Sequence, residues 1–150
     1  MVLTIEDRLA LRALVDAYAE AVDRKDGPAV AALFMPQGRM VVPDPTSSGT
    51  LLPTRTGRDE VLEAMGNLAR YRTLTHLVGG QVLRDGDPVT GVTTCVAHHL
   101  YERDGAARLL VMGIHYHDTY DRDGGEWRFA ERRFEWDWRD DRAVGTGGRA

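Results

Sequence analysis

Residues 74–138 read LTHLVGGQVLRDGDPVTGVTTCVAHHLYERDGAARLLVMGIHYHDTYDRDGGEWRFAERRFEWDW, and this stretch decides the fold. Asp-Gly pairs divide it into four β-rich runs, which lie near residues 74–84, 88–102, 107–121 and 126–138. An Asp-Gly pair between two such runs is a strong signal for a β-hairpin. We therefore predict a meander of long antiparallel strands that forms one curved sheet.

The residues before this stretch predict about three helices. Residues 4–24 carry apolar side chains at the spacing of an amphipathic helix, and Thr4 with Asp7 forms a capping signal at its start. Pro28 opens a short second helix, and residues 58–70 show helical spacing again. Helices on one face of a curved antiparallel sheet leave a pocket on its concave side. We predict an α+β fold in which a cone-shaped sheet and the helices enclose that pocket.

The segment between the second and third helices predicts a short strand and a long loop. The strand is expected near residues 38–42, and residues 43–57, rich in Pro, Thr and Ser, form a candidate lid over the pocket mouth. We expect residues 1–144 to form a single domain and residues 145–150 to form a frayed tail.

The first hairpin predicts which histidines face the pocket. A two-residue loop at residues 85–86 places His76 opposite Cys95, so His99 faces the same side of the sheet as His76. The α-carbons of the two histidines are then about 13 Å apart, and the side chains flank a substrate without contact. One extra residue in this loop would reverse the alternation and turn His98 inward instead.

The same rule predicts which residues of the next strands face the pocket. A two-residue loop at residues 104–105 turns an apolar set toward it, namely Leu110, Met112, Ile114 and Tyr116. At the last hairpin a two-residue loop would turn Glu131 and Arg133 inward. The apolar set of that strand is instead Ala130, Phe134, Trp136 and Trp138. We therefore expect a longer loop there.

Asp23, at the end of the first helix, is the sharpest chemical signal. A carboxylate beside a histidine fixes the tautomer of the ring and raises its basicity. We predict that Asp23 orients His76 as a general base and that His99 acts as a general acid. The alternatives are that Asp23 only terminates a helix and that His76 is a hydrogen-bonded core residue.

Residues around these groups predict the substrate contacts. Tyr18 or Tyr116 is expected to bind a substrate oxygen, and Met112 and Ile114 to line the apolar wall. The alternative for Tyr18 is a core tyrosine whose hydroxyl is satisfied within the protein.

Other chemistries lack their sequence signals. His115 and His117 share the strand face opposite Tyr116, and His-x-His is a common metal pattern, but no third ligand is evident. A polar outer or interface face explains this pair, so we expect no metal. The sequence has no Gly-rich phosphate loop, zinc-type cysteine spacing or nucleophilic serine motif, so we expect no cofactor.

Composition narrows the partners and the compartment. The formal net charge of −4 is spread over mixed acidic and basic residues, which argues against nucleic acid as a partner. The single cysteine, Cys95, cannot form an internal disulfide, and no apolar run is long enough to cross a membrane or to act as a signal peptide. We expect a cytoplasmic protein that binds neither nucleic acid nor membrane.

Three segments together resemble the scytalone dehydratase-like, or SnoaL-like, branch of the nuclear transport factor 2-like superfamily. These are residues 18–26, 75–80 and 125–130. The resemblance implies a cone-like fold over most of the chain, no cofactor, and catalytic roles for Asp23, His76 and His99. It also implies a homo-oligomer, either a trimer or a dimer.

The resemblance also bears on the substrate. The family's water-holding tyrosines align near Val22 and Val42, and its pocket asparagine aligns near Tyr116. These departures argue against scytalone itself. Tyr18 matches a tyrosine of the related bile-acid dehydratases, which keeps hydroxyl-bearing polycyclic substrates open.

Two functions of different kinds follow from these residues. The first is a cofactor-independent lyase (a dehydratase), isomerase or cyclase that acts on a hydrophobic, oxygenated small molecule of polyketide or steroid type. The second is a noncatalytic small-ligand-binding or protein-interaction module of the same fold, in which the polar groups satisfy one another. A metal enzyme that uses His115 and His117 is a third reading.

Overall fold

The computed structural model describes residues 1–44 and 50–145, and three α-helices lie on one side of a sheet. The helices are α1 (Ile5–Asp23), α2 (Gly27–Ala32) and α3 (Arg58–Met65), and a 3₁₀ helix (Gly66–Arg70) follows α3 directly. The predicted capping box is present, because the side chains of Thr4 and Asp7 each accept the other's backbone N–H. Part of the predicted lid, residues 45–49, and most of the predicted tail, residues 146–150, lie outside the described residues.

The sheet has six strands and is curved and unclosed. The strands are β1 (Phe34–Val41), β2 (Arg55–Thr56), β3 (Thr73–Arg84), β4 (Val89–Arg103), β5 (Ala106–Asp123) and β6 (Glu126–Ala143). They lie in the order β2-β1-β6-β5-β4-β3. The predicted antiparallel meander of β3 to β6 is confirmed, as is the α+β fold. β1 lies parallel to β6, a direction that is open to it because no hairpin joins the two strands.

The first hairpin differs from its prediction in two ways, and their effects on the alternation of side chains between the two faces cancel. The loop spans residues 85–88 rather than two residues, and a bulge at residues 79–80 shifts the register again. His76 therefore lies opposite Ala97 and not opposite Cys95. Because the two shifts together preserve the alternation, His76 and His99 still face the same side of the sheet. At the second hairpin the predicted pairing of Arg103 with Ala106 is confirmed.

The longer loop expected at the last hairpin is wrong. Asp123 pairs with Glu126, so the turn has two residues, both of them glycines with positive φ. A bulge at Ala130 reverses the alternation of β6, because Tyr120 pairs with Phe129 whereas Thr119 pairs with Glu131. The bulge explains how Phe134 and Trp136 reach the concave face after so short a turn.

Trp138 departs from the predicted inward set. A second irregularity of β6 places it opposite Gly113, and its indole lies over that glycine on the outer face of the sheet. Its side chain is 50% exposed.

The core lies between α1 and the concave face of the sheet. Cys95 is buried there, and burial raises the pKa of its thiol to about 11, so the thiol stays protonated at neutral pH. Within residues 1–44 and 50–145, no helix has the length and apolar character needed to cross a membrane.

Candidate active site

Asp23 and His76 form a hydrogen-bonded dyad, which the sequence predicted. The Nδ1 atom of His76 lies 2.6 Å from Oδ1 of Asp23, and the backbone N–H of His76 donates to Oδ2 at 3.1 Å. An ionised carboxylate only accepts hydrogen bonds, so Nδ1 carries the ring proton in the neutral histidine. Nε2, on the side of the ring away from Nδ1, then carries the lone pair.

His99 lies beside His76 rather than across a substrate from it. His99 pairs with Leu74 and is therefore diagonal to His76 across the two strands, and the ring centroids are 5.5 Å apart. The expectation that the two rings flank a substrate without contact is wrong. The cause is the register, which brings His99 two residues closer to His76 than predicted.

The ring of His99 is neutral and unsatisfied. Its pKa is lowered to about 3, mainly by burial and also by the charges of His76 and Arg70. Neither ring nitrogen has a hydrogen-bond partner within the described residues. At neutral pH the ring therefore holds one free N–H and one free lone pair, an arrangement that needs an explanation in a buried site.

Both histidines open into an apolar cavity of about 190 Å³ on the concave face. The predicted contact residues all line it, namely Tyr18, Tyr116, Met112 and Ile114. The sequence did not assign further lining residues, which include Met40, Asn67, Leu68, Phe134 and Trp136. Leu52, Pro53 and Arg55 come from the predicted lid and also line the cavity.

Tyr18 and Tyr116 pack against each other in the cavity wall. Their ring centroids are 6.0 Å apart, and both residues are buried. Burial raises the pKa of Tyr18 to about 12 and that of Tyr116 well above its usual value. Both phenols therefore stay neutral and are able to donate hydrogen bonds.

An ion pair buried next to these tyrosines was not predicted. Arg132 donates two hydrogen bonds to Asp118, each 2.8 Å long, and neither side chain is exposed to solvent. The guanidinium carbon of Arg132 lies 4.3 Å from the ring centroid of Tyr18 and 4.2 Å from that of Tyr116. The signal that sequence reasoning missed is a pair of opposite charges at facing positions of β5 and β6. It can be recognised only once the bulge at Ala130 is known, because the bulge turns Arg132 inward.

The sequence matches the family model of the SnoaL-like domain over residues 3–133. The chain belongs to the SnoaL-like family. No curated protein matches the sequence significantly.

Solved structures share the fold of this SnoaL-like protein at low sequence identity. A scytalone dehydratase-like protein from Novosphingobium aromaticivorans is 20% identical with a TM-score of 0.75, over 97% of this chain and 96% of that one. The hexachlorocyclohexane dehydrochlorinase LinA-type3 from Novosphingobium barchaimii is 17% identical with a TM-score of 0.71, over 95% and 96%. ActVI-ORFA from Streptomyces coelicolor is 18% identical with a TM-score of 0.71, over 87% and 96%.

The outer-face histidines of this SnoaL-like protein pair with carboxylates of β6. His115 lies 2.7 Å from Asp137, and His117 lies 2.5 Å from Glu135. His98 and His99 are consecutive in the neighbouring strand β4, so His98 points to the outer face when His99 points to the cavity. In the part of the chain that the structure describes, no three His, Cys, Asp or Glu side chains are grouped to hold a metal ion.

Proposed function

We propose that this SnoaL-like protein is a cofactor-independent lyase that eliminates a leaving group from a hydrophobic, oxygenated small molecule. One observation carries the proposal: His76, whose Nδ1 is hydrogen-bonded to Asp23 and whose Nε2 therefore carries the lone pair, lines an apolar cavity. Two of the structures that share the fold are named as a dehydratase and a dehydrochlorinase, which are names for eliminations. These names support the reaction class, and the site residues support the mechanism.

The cavity indicates the class of substrate. Its lining is largely aliphatic and aromatic, which favours a hydrophobic ring system such as a substrate of polyketide or steroid type. The polar groups among the lining residues are few, namely His76, His99, Tyr18, Tyr116, Asn67 and Arg55. They suit a molecule with a small number of oxygen atoms.

The first step is removal of a proton from the carbon next to a carbonyl group. Nε2 of His76 takes this proton, and the C–H bonding electrons form an enolate. The imidazolium that results is stabilised by the carboxylate of Asp23, which lies 2.6 Å from Nδ1.

For His99 we propose a role other than the predicted general acid. With a pKa lowered to about 3, the ring is not protonated at neutral pH. We propose that its free N–H donates a hydrogen bond to the enolate oxygen, as an oxyanion-hole donor does. The enolate then expels the hydroxyl group, which takes the proton back from His76 and leaves as water. The product is a conjugated ketone, and the enzyme returns to its starting state.

The test separates proton removal from elimination. A bicyclic β-hydroxy ketone whose dehydration gives a naphthol reports elimination by absorbance, and the ketone without the hydroxyl reports proton removal by solvent deuterium exchange. His76→Gln should lower both rates by about 10²–10⁴-fold, and His117→Gln, on the outer face, should leave both unchanged. Exchange without elimination would favour an isomerase or cyclase. Equal rates in wild type and His76→Gln, or binding with neither reaction, would overturn the proposal in favour of a binding module.

As part of this proposal, we infer that the protein forms a homo-oligomer, a trimer or a dimer, through the outer face of the sheet. Leu77, Val82 and Trp138 expose 60%, 59% and 50% of their surface there. Light scattering after size-exclusion chromatography would give the mass, and a monomer at micromolar concentration would contradict the proposal.

A further inference from the structure

A second cavity of about 420 Å³ lies on the same concave face, beyond the apolar cavity. Its walls include Arg70 and Tyr71 from the chain between α3 and β3, together with Tyr101, Leu110 and Arg139 from the sheet. Leu110 pairs with His99 in β4, and Arg139 pairs with Met112, so both residues continue the concave surface past the active site. None of the five lines the apolar cavity.

Tyr71, which lines the second cavity, packs against His99, which lines the apolar cavity. Its ring centroid lies 4.5 Å from that of His99 on one side and 6.3 Å from that of Tyr101 on the other. The ring is held in place, because the residue is 8% exposed and Arg70 donates a hydrogen bond of 2.7 Å to its hydroxyl. The second cavity is therefore a separate, preformed space with two tyrosines in its walls.

The charges in this cavity are not balanced. One of its two carboxylates, that of Asp141, already accepts hydrogen bonds from the hydroxyl of Tyr101 at 2.6 Å and from Arg108 at 2.9 Å. Across residues 1–44 and 50–145, no carboxylate lies within ion-pair distance of Arg70 or Arg139. The second carboxylate of the lining, Glu102, lies on β4 at a position that alternates with Tyr101 and so points to the other face.

We propose that this cavity binds a small aromatic carboxylate, as a ligand site separate from the Asp23–His76 dyad. Planar guanidinium groups match carboxylates in charge and in hydrogen-bond geometry, so Arg70 and Arg139 hold the anionic group. The rings of Tyr71 and Tyr101, with Leu110, provide the apolar and edge-on contacts that an aromatic ring prefers. The ligand then lies one side chain away from His99.

Benzoate is the probe, with benzamide as its uncharged control. Benzoate titrated into the ¹⁵N-labelled protein should shift the amide resonances of Tyr71, Tyr101 and Leu110, and benzamide should shift them much less. Arg70→Gln and Arg139→Gln should each weaken benzoate binding about tenfold, because each removes one charged hydrogen-bond donor. Arg142→Gln, on the opposite face of β6, is the matched control and should bind benzoate as the wild type does.

Three results would overturn the proposal. The first is no shift at these residues up to saturating benzoate in the folded wild-type protein. The second is unchanged affinity in both Arg70→Gln and Arg139→Gln. The third is equally tight binding of inorganic phosphate, which would show a site for anions in general. Circular dichroism of each variant establishes that it is folded.

Discussion

The carboxylate of Asp23 accepts two hydrogen bonds from His76, one from the ring and one from the backbone N–H of the same residue. These two hydrogen bonds fix the orientation of the imidazole ring relative to β3. Asp23, the last residue of α1, therefore sets the direction in which the base points. Asp23→Asn keeps the size but removes the charge. We expect turnover of the bicyclic β-hydroxy ketone to fall about 10²–10⁴-fold, because the imidazolium loses its stabilising anion.

A readout that needs no substrate separates orientation from simple loss of stability. In the wild type, ¹⁵N shifts of the His76 ring should report a protonated Nδ1, and Asp23→Asn should mix the two tautomers. Asp16→Asn, on the same helix with a half-exposed side chain that pairs with Arg12, is the control. A single Nδ1-protonated tautomer with full turnover in Asp23→Asn would contradict the orienting role.

The neutral state of His99 predicts a specific dependence of stability on pH. The pKa is about 3 in the folded protein against 6.5 as its ordinary value. As pH falls below the ordinary value, the unfolded chain takes up a proton that the folded chain does not, so the free energy of unfolding decreases. The decrease continues until pH approaches the folded pKa, and above the ordinary value it is absent.

His99→Phe removes the contribution of this ring to the pH dependence of the free energy of unfolding. Between about pH 7 and pH 5 the wild type should lose about 2 kcal/mol more free energy of unfolding than His99→Phe does. Urea denaturation at both pH values measures the difference, and the Cε1 proton of His99 should show no titration midpoint by NMR in this range. Parallel stability profiles, or a midpoint near neutral pH, would show that the ring titrates normally.

Local turn signals were sufficient to predict the four long strands, because each Asp-Gly pair acts within its own hairpin. The face of His99 was predicted although the pairing was not, since the longer loop at residues 85–88 and the bulge at residues 79–80 cancel in their effect on alternation. A bulge depends on contacts with the neighbouring strand, so a single strand's sequence does not reveal it. Arg132 was missed for the same reason, because its inward position follows from the bulge at Ala130.

The Arg132–Asp118 pair should behave as a buried ion pair that is costly to break. Arg132→Met leaves an unpaired carboxylate in the core and should lower the free energy of unfolding by about 3–5 kcal/mol. Changing both residues, as Arg132→Met with Asp118→Leu, should restore most of this loss because no buried charge remains. Arg133→Met, whose residue is 45% exposed on the other face, should change stability by no more than about 0.5 kcal/mol.

The double-mutant cycle decides whether the pair acts as a unit. Urea denaturation of the two single variants and the double variant gives the coupling free energy. Additive effects, or a cost for Arg132→Met no larger than that for Arg133→Met, would show that the guanidinium is not needed to neutralise Asp118.

Gly38 should be intolerant of even one added methyl group. A β-carbon at this position would lie 2.7 Å from the carbonyl oxygen of Phe129 and 3.0 Å from the backbone N and O of Met35. These are backbone atoms, and the N–H of Phe129 is itself bonded to Leu33 at 2.9 Å, so neither chain segment yields easily. We expect Gly38→Ala to lower the free energy of unfolding by about 1–3 kcal/mol, as overpacking does.

Gly80→Ala, whose added methyl meets no atom within 4 Å, is the matched control in urea denaturation. Equal stability of the two variants would mean that β1 and β6 separate readily at this point, and the parallel pairing that seats β1 beside the cavity would then contribute little to the fold.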